Sequence, residues 1–259
     1  MKVGVSYNVF DGVELLSGSI LSLKNQVDYI SVVYQNISNH GFKSNDSDFL
    51  ILQNLLTNNL INDLILYTPD LKKEPWFNET NKRNIGLDLS KKNGCTHHIS
   101  LDCDEYYIDD EVAKLKKDII FYDYDTTFIG MYTYYKSTKY VLTPKENYYV
   151  PFIHKIKPNT MYVHGTQTPV LVDPTRRVNT IGKYYIVSDD SINMHHLSHI
   201  RLDYESKLRN SSAYINYKNK IKNLINVYKN FTFQENMCFP NDVKYKLTYN
   251  NNDKFNIEL

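Results

Sequence analysis

An α/β fold is predicted for this chain from three observations. Short runs rich in Val, Ile, Leu and Tyr alternate with amphipathic stretches from the start of the chain. Three carboxylates gather at the end of the fourth run, in "SLDCDEYY". No Pro/Gly/Ser-rich linker interrupts the 259 residues, so one domain with two lobes is expected.

The runs at 2–7, 28–34, 61–67 and 97–101 are the predicted strands. Between them, Val13, Leu16, Ile20 and Leu23 share one helical face, and Phe49, Leu52 and Leu56 a second. Ile85 and Leu89 mark a third helix, stopped by Asn93-Gly94. This βαβαβαβ order implies a largely parallel sheet with right-handed crossovers. Ligands on such sheets sit outside the carboxyl ends of the strands, where Asp102, Asp104 and Glu105 fall. Beyond about residue 118 the pattern shifts to tyrosine-rich strand-like runs at 119–124, 128–135, 147–153 and 183–187, a mixed and partly antiparallel extension. "SHIRLDYESKLRN" and "AYINYKNKIKNLINVYKNF" have helical spacing, and the tail "LTYNNNDKFNIEL" is expected to fray.

Composition narrows the function classes. With 30 basic and 29 acidic residues the formal net charge is +1, so no overall field points to nucleic acid or an anionic membrane. The first apolar run is cut by Asp11, and no later stretch approaches ~20 apolar residues, so a soluble, cytoplasmic protein with no transmembrane segment is expected. Cys95, Cys103 and Cys238 have no C-x-x-C spacing and read as reduced thiols. The 23 tyrosines fit AT-biased coding at least as well as selection for sugar stacking.

Several stretches, taken in order, resemble the GT-A glycosyltransferases, in particular the inverting family 2 and its relatives. "VGVSYNVFDGVELLSGSILSLKNQ" is similar to their opening strand, Y-N turn and helix, "NKRNIGLDLSKKNG" to their R-N-x-G helix, and "ISLDCDEYY" to the strand ending in D-x-D. "MHHLSHIRLDYESKLRNS" resembles a late segment that carries a metal-binding His. The resemblance implies a GT-A nucleotide-diphospho-sugar transferase fold, a single domain with a Rossmann-like donor half and a mixed-sheet acceptor half. Residues 1–118 would then bind the nucleotide-sugar donor, 119–200 would hold the acceptor and close a metal site, and 201–259 would form a C-terminal helical segment and tail.

By the same resemblance, Ser6 and Tyr7 cradle the base, Arg83 reaches the nucleotide, and Asp102 positions the donor. Asp104, with His196 and Asp102, would hold Mn2+ or Mg2+. A divalent cation bridging the diphosphate stabilises charge that develops as the glycosidic bond breaks, and hard cations take carboxylate oxygens. The donor implied is a UDP-sugar, and the acceptor a carbohydrate or other hydroxyl. Gln35 stands nearest the family's acidic residue after strand two. Its amide oxygen can accept from a uracil N–H, but an amide also donates, so base identity stays open. Where relatives carry V-H-E this chain has "YVHGTQTP", with Gly165 in the glutamate's place. Asp173 and His164 are the remaining candidates for the catalytic base, and Arg176 and Arg177 are candidates for meeting the diphosphate. The loop at 68–80, anchored by Trp76, is the candidate segment to order over the donor.

Two other functions compete. His195 and His199, four apart, could share a helical face and hold zinc in a hydrolase. A non-catalytic nucleotide- or carbohydrate-binding module on a degenerate transferase fold is the other.

Overall fold

The computed structural model describes residues 1–211, 214, 218–239 and 242–259. In chain order the elements are β1 (Val3–Val9), α1 (Val13–Leu23), β2 (Tyr29–Gln35), α2 (Asp46–Thr57), β3 (Asp63–Tyr67), α3 (Pro75–Lys92), β4 (His97–Asp102), β5 (Glu105–Tyr106) and α4 (Asp109–Tyr122). There follow β6 (Thr126–Tyr135), β7 (Ser137–Thr143), β8 (Val150–Lys155), β9 (Tyr184–Ile186), β10 (Asn193–His199), α5 (Tyr204–Asn210), α6 (Ile221–Lys229), β11 (Cys238–Phe239) and β12 (Asp242–Tyr249). The α/β class and the mixed sheet are as predicted. The chain gathers into two compact units, residues 1–130 with 147–194, and residues 131–146 with 195–259.

In the first unit β3, β2, β1 and β4 run parallel and adjacent, as the alternating pattern requires. β8 then pairs antiparallel with β4, β6 antiparallel with β8, and β9 parallel with β6. Helix α1 buries Val13, Leu16, Ile20 and Leu23, the face its spacing predicts. The face of α2 is different from the expected one: Leu52 and Leu55 are buried while Phe49 and Leu56 are exposed. Apolar residues run around this helix, so periodicity alone did not select a side. The predicted strand at 119–124 is instead the last turn of α4 and its cap. Val112, Leu115 and Ile119 are buried at helical spacing, and Asp123, at φ 52, ends the helix.

Helix α3 departs most from expectation. Ile85 and Leu89 are only half-buried, and the buried face carries Arg83, Gly86, Leu87 and Ser90. Gly86 makes the close approach to β1 possible: a Cβ there would lie 1.8 Å from Ser6 Oγ and 2.2 Å from Ser6 Cβ. A helix this near a sheet exchanges an apolar stripe for a polar seam.

In the second unit β7 pairs antiparallel with β6 and with β12, and β11 with β12. Tyr135, Leu142, Tyr204, Leu208, Leu224, Tyr228, Phe239 and Leu247 belong to its core. The tail is tied down rather than frayed. Its first residues lie in β12, Thr138 N donates to Ile257 O at 3.0 Å, and Thr138 Oγ1 donates to Asp253 Oδ2 at 2.7 Å. Of "SHIRLDYESKLRN" only Tyr204–Asn210 is helical, and its first two residues belong to β10. The helix expected over 213–231 is seen at Ile221–Lys229, while 213 and 215–217 lie outside the described residues. All three cysteines are free thiols.

A buried pair of histidines in the first unit has consequences for pH. His98 and His154 face each other in register across β4 and β8 with rings 5.4 Å apart, and His98 Nδ1 shares a 2.8 Å hydrogen bond with Ser90 Oγ. Burial pushes His98 well below the usual histidine range and His154 down to about 3, while His97 falls to about 4. All three are neutral in the fold but take up protons when unfolded below about pH 6.5, so stability drops as pH falls through that value. Asp48 opposes them: burial raises its carboxyl to about 6, and the fold binds that proton first. Urea unfolding at pH 7.5, 6.5 and 5.5 is expected to show a net loss approaching about 1.4 kcal/mol per pH unit for each uncompensated histidine. Constant stability across that range would show that the histidines titrate inside the fold.

Candidate functional site

The polar seam beneath α3 is built by strand alternation. In the parallel register Ser6 lies beside Ser31 and Ser100, and two residues on Asn8 lies beside Val33 and Asp102. Gln35 follows at the end of β2 beside Tyr67. Side chains two apart share a face, so Ser6, Asn8, Gln35, Ser100 and Asp102 all project toward α3 at the carboxyl ends of their strands.

Two guanidinium groups converge on this face. From α3, Arg83 Nη1 donates to Ser100 Oγ at 2.8 Å and Nη2 to Asp102 Oδ1 at 3.2 Å. From a 3₁₀ turn at Pro174–Arg176, Arg176 Nη2 donates to Asp102 Oδ2 at 2.7 Å and Nη1 to Glu105 Oε2 at 3.2 Å. Arg176 Nη2 also meets Glu105 Oε1. The turn holds its shape because Asp173 Oδ1 accepts from Thr175 N and Thr175 Oγ1, each at 2.7 Å. Glu105, fully buried, accepts further hydrogen bonds from Asp102 N at 3.2 Å and Tyr107 Oη at 3.1 Å. Burial alone would push the Asp102 carboxyl up, but Arg176 and Arg83 overcome it and hold it at about 2.

Four buried polar atoms on this face have no hydrogen-bond partner: Ser6 Oγ, Asn8 Oδ1, Gln35 Oε1 and Arg83 Nε. Such atoms are few in folded proteins, because each carries a desolvation penalty of about 1–3 kcal/mol.

The predicted site residues divide as follows. Ser6, Gln35, Arg83 and Asp102 share the seam, with Ser6 lying beneath Gly86. Tyr7 is buried on the opposite face, where its hydroxyl accepts from Ser19 Oγ of α1 at 3.2 Å. Asp104 is buried in the first unit, and His196 stands on β10 in the second. The intervening Cys103 turns away, its Sγ 3.0 Å from Asp11 O. The Asp173 carboxylate caps the turn that presents Arg176. His164 is exposed and stacked on Trp76, with ring centroids 4.4 Å apart, and Trp76 lies in the first turn of α3 rather than on a free loop. Gly165 has a φ of 90.

Each Asp102 oxygen accepts from a guanidinium, Oδ1 from Arg83 and Oδ2 from Arg176, while the side chain stays 37% exposed. Among the described residues no group of three or more His, Cys, Asp or Glu is placed to hold a metal ion. The zinc-hydrolase reading needed His195 and His199 on one helical face, but both lie on strand β10, where four residues span about 13 Å. His195 Nδ1 bonds Tyr134 Oη at 2.8 Å and His199 Nδ1 bonds Tyr204 Oη at 2.9 Å.

Asn8 and Ser100 were not anticipated as site residues, Glu105 was expected at the strand end without a specific role, and Arg176 was expected at a phosphate rather than at two carboxylates. The signal for the first two is in the strands: Ser6 and Asn8, like Ser100 and Asp102, are polar residues two apart inside buried apolar runs. Nothing in the sequence joins Arg176 to Glu105.

No family model matches the sequence, and no curated protein matches it. Among solved structures, residues 1–349 of S. aureus TarS are similar at 16% identity and a TM-score of 0.47, over 84% of this chain and 66% of that one. The same TarS fragment in complex with UDP-GlcNAc is similar at 15% identity and a TM-score of 0.47, over 84% and 67%. A further structure of S. aureus TarS, not limited to that fragment, is similar at 15% identity and a TM-score of 0.46, over 90% of this chain and 44% of its own length. This chain therefore spans about two thirds of the fragment and under half of the longer TarS chain. No helix among the described residues is long and apolar enough to cross a membrane.

Removing the Arg176 guanidinium would leave Glu105 and Asp102 with one buried counter-charge fewer. Arg176→Ala is expected to destabilise the fold by about 3–5 kcal/mol, the usual result of breaking a buried ion pair from one side. Chemical denaturation measures this. A loss under 1 kcal/mol would show that the carboxylates regain water when the arginine is removed.

Proposed function

We propose that this chain transfers a sugar from a nucleotide diphosphate sugar, a UDP-sugar in the first instance, to a carbohydrate or other hydroxyl acceptor. One observation carries the reading: a buried polar face at the carboxyl ends of parallel strands, with two guanidiniums and four unpartnered polar atoms, where a nucleotide would supply the missing partners. The motif resemblance to GT-A transferases supports the same place and chemistry. In the reaction the acceptor oxygen bonds the anomeric carbon, and the bond from that carbon to the diphosphate breaks. The diphosphate leaves with the electron pair. Arg83, with its Nε unpartnered, supplies fixed positive charge toward that leaving group at no reorganisation cost.

The cation implied by the resemblance, Mn2+ or Mg2+, is proposed on the D-x-D carboxylates, Asp104 and Asp102. The acceptor's proton needs a recipient. Asp173 is occupied as a turn cap, which leaves His164, exposed against Trp76, as the proposed base. The absence of a glutamate at Gly165 favours a second reading, a nucleotide- or carbohydrate-binding module without catalysis. Slow hydrolysis of a UDP-sugar without acceptor separates the two, since the module would release no UDP.

Calorimetric titration with UDP tests the site. Arg83→Ala is expected to weaken UDP binding by about 1–3 kcal/mol, the range for a buried hydrogen bond to a charged group. Unchanged affinity would remove Arg83 from the nucleotide site. Manganese should strengthen UDP binding in the unsubstituted protein and not in Asp104→Asn. Equal affinity with and without manganese in both would assign the diphosphate to the arginines alone.

A further inference from the structure

The second unit holds a cleft of about 300 Å3 to which no residue of the candidate site contributes. Small molecules are held in clefts of roughly 300–1,000 Å3, so this one is large enough for a small ligand. Tyr228 of α6 lines it and is fixed in place from two sides. Its hydroxyl accepts from Arg201 N at 2.9 Å and donates to Arg201 O at 3.0 Å, and Tyr204 stacks on its ring with centroids 4.1 Å apart. Leu202 and Ile225 add apolar surface.

The charge lining the cleft is uneven. Its two carboxylates are engaged: Asp203 Oδ1 accepts from Ser206 N at 2.9 Å, and Glu205 Oε1 accepts from Arg209 Nε at 2.8 Å and Nη2 at 2.6 Å. Two of its ammoniums are not. Among the described residues neither Lys136 nor Lys229 forms an ion pair. Lys136 Nζ instead lies 4.0 Å from the centroid of the Tyr228 ring. The backbone of Lys136 is strained as well. It is the single residue between β6 and β7, at φ 66, with its N–H donated to His199 O at 3.0 Å. Glycine takes that conformation freely and lysine does not, and such outliers gather where a side chain is put to use. Burial lowers the Lys136 ammonium from its ordinary lysine value, an effect that an anion beside it would reverse.

We propose that this cleft binds a small organic anion, its carboxylate or phosphate on Lys136 and Lys229 and its apolar body against Tyr228, Leu202 and Ile225. The inference does not depend on the nucleotide reading. An oxyanion supplies the counter-charge that both ammoniums lack, and it does so where partial burial strengthens the attraction. A cationic ligand would meet two like charges, and a neutral one would leave them as they are.

Calorimetry on the whole chain with benzoate, phenyl phosphate and the neutral benzyl alcohol tests this. At least one anion should bind with a Kd below ~1 mM, and at least ~10-fold more tightly than benzyl alcohol. The tighter of the two anions tells a carboxylate ligand from a phosphate one. Lys136→Met and Lys229→Met keep an unbranched side chain and lose the charge, and each should weaken that anion by at least about fivefold. Arg83→Ala, in the first unit, should bind it as the unsubstituted protein does. Circular dichroism establishes that each variant is folded, and the comparison of anion with alcohol needs no variant. Failure of both anions to bind, equal affinity for the alcohol, or undiminished anion affinity in either folded lysine variant overturns the assignment. Anion binding lost in folded Arg83→Ala would place the probe in the seam beneath α3, which overturns this site and leaves the nucleotide reading standing.

Discussion

The ion cluster at the end of β4, in which Arg83, Arg176 and Glu105 are buried and Asp102 is part-exposed, is the constraint on which the candidate site depends. Asp102 is held by Arg83 from α3 and by Arg176 from the 3₁₀ turn, and Glu105 shares Arg176. Taking charges out of water costs several kcal/mol per ion, so such a cluster persists only when each member is paired and hydrogen-bonded. Here Glu105 also accepts from a backbone N–H and a tyrosine hydroxyl. The consequence is geometric: three chain segments distant in sequence, at 83, 102–105 and 176, are brought to one point at the carboxyl end of the sheet.

The close approach of α3 lets the cluster form. A helix seated by apolar side chains would stand off from β1, and Arg83 would have a longer path to Ser100. Gly86 removes that stand-off, and Ser6, Asn8 and Ser100 offer small or polar side chains in its place. The seam is polar because it is narrow, and unpartnered atoms persist in it because there is little room for a rotamer change.

The same cluster alters the reading of the D-x-D motif. Spacing alone makes Asp102 and Asp104 look equivalent, but it is Asp102 that anchors two guanidiniums, whereas Asp104 is the more deeply buried of the two. Glu105, which lies outside the D-x-D spacing, carries as much of the electrostatic organisation as Asp102.

Periodicity by itself determined the α/β class, the four parallel strands, the helix between the first two and the position of the acidic residues at the carboxyl end of β4. These follow from local hydrophobic spacing and from the rule that side chains alternate along a strand. It did not decide the buried face of α2, where apolar residues surround the helix, or of α3, where the buried face is polar. It placed a strand at 119–124 because Ile, Phe and Tyr favour strands, whereas the burial of Val112, Leu115 and Ile119 makes that stretch the end of a helix. It left the tail free, although β12 pairs with β7 and Thr138 holds Ile257. The ion cluster and the strand at His195–His199 were decided by tertiary structure alone. Each depends on groups far apart in the chain, or on which of two local conformations packs better, and local spacing carries no information about either.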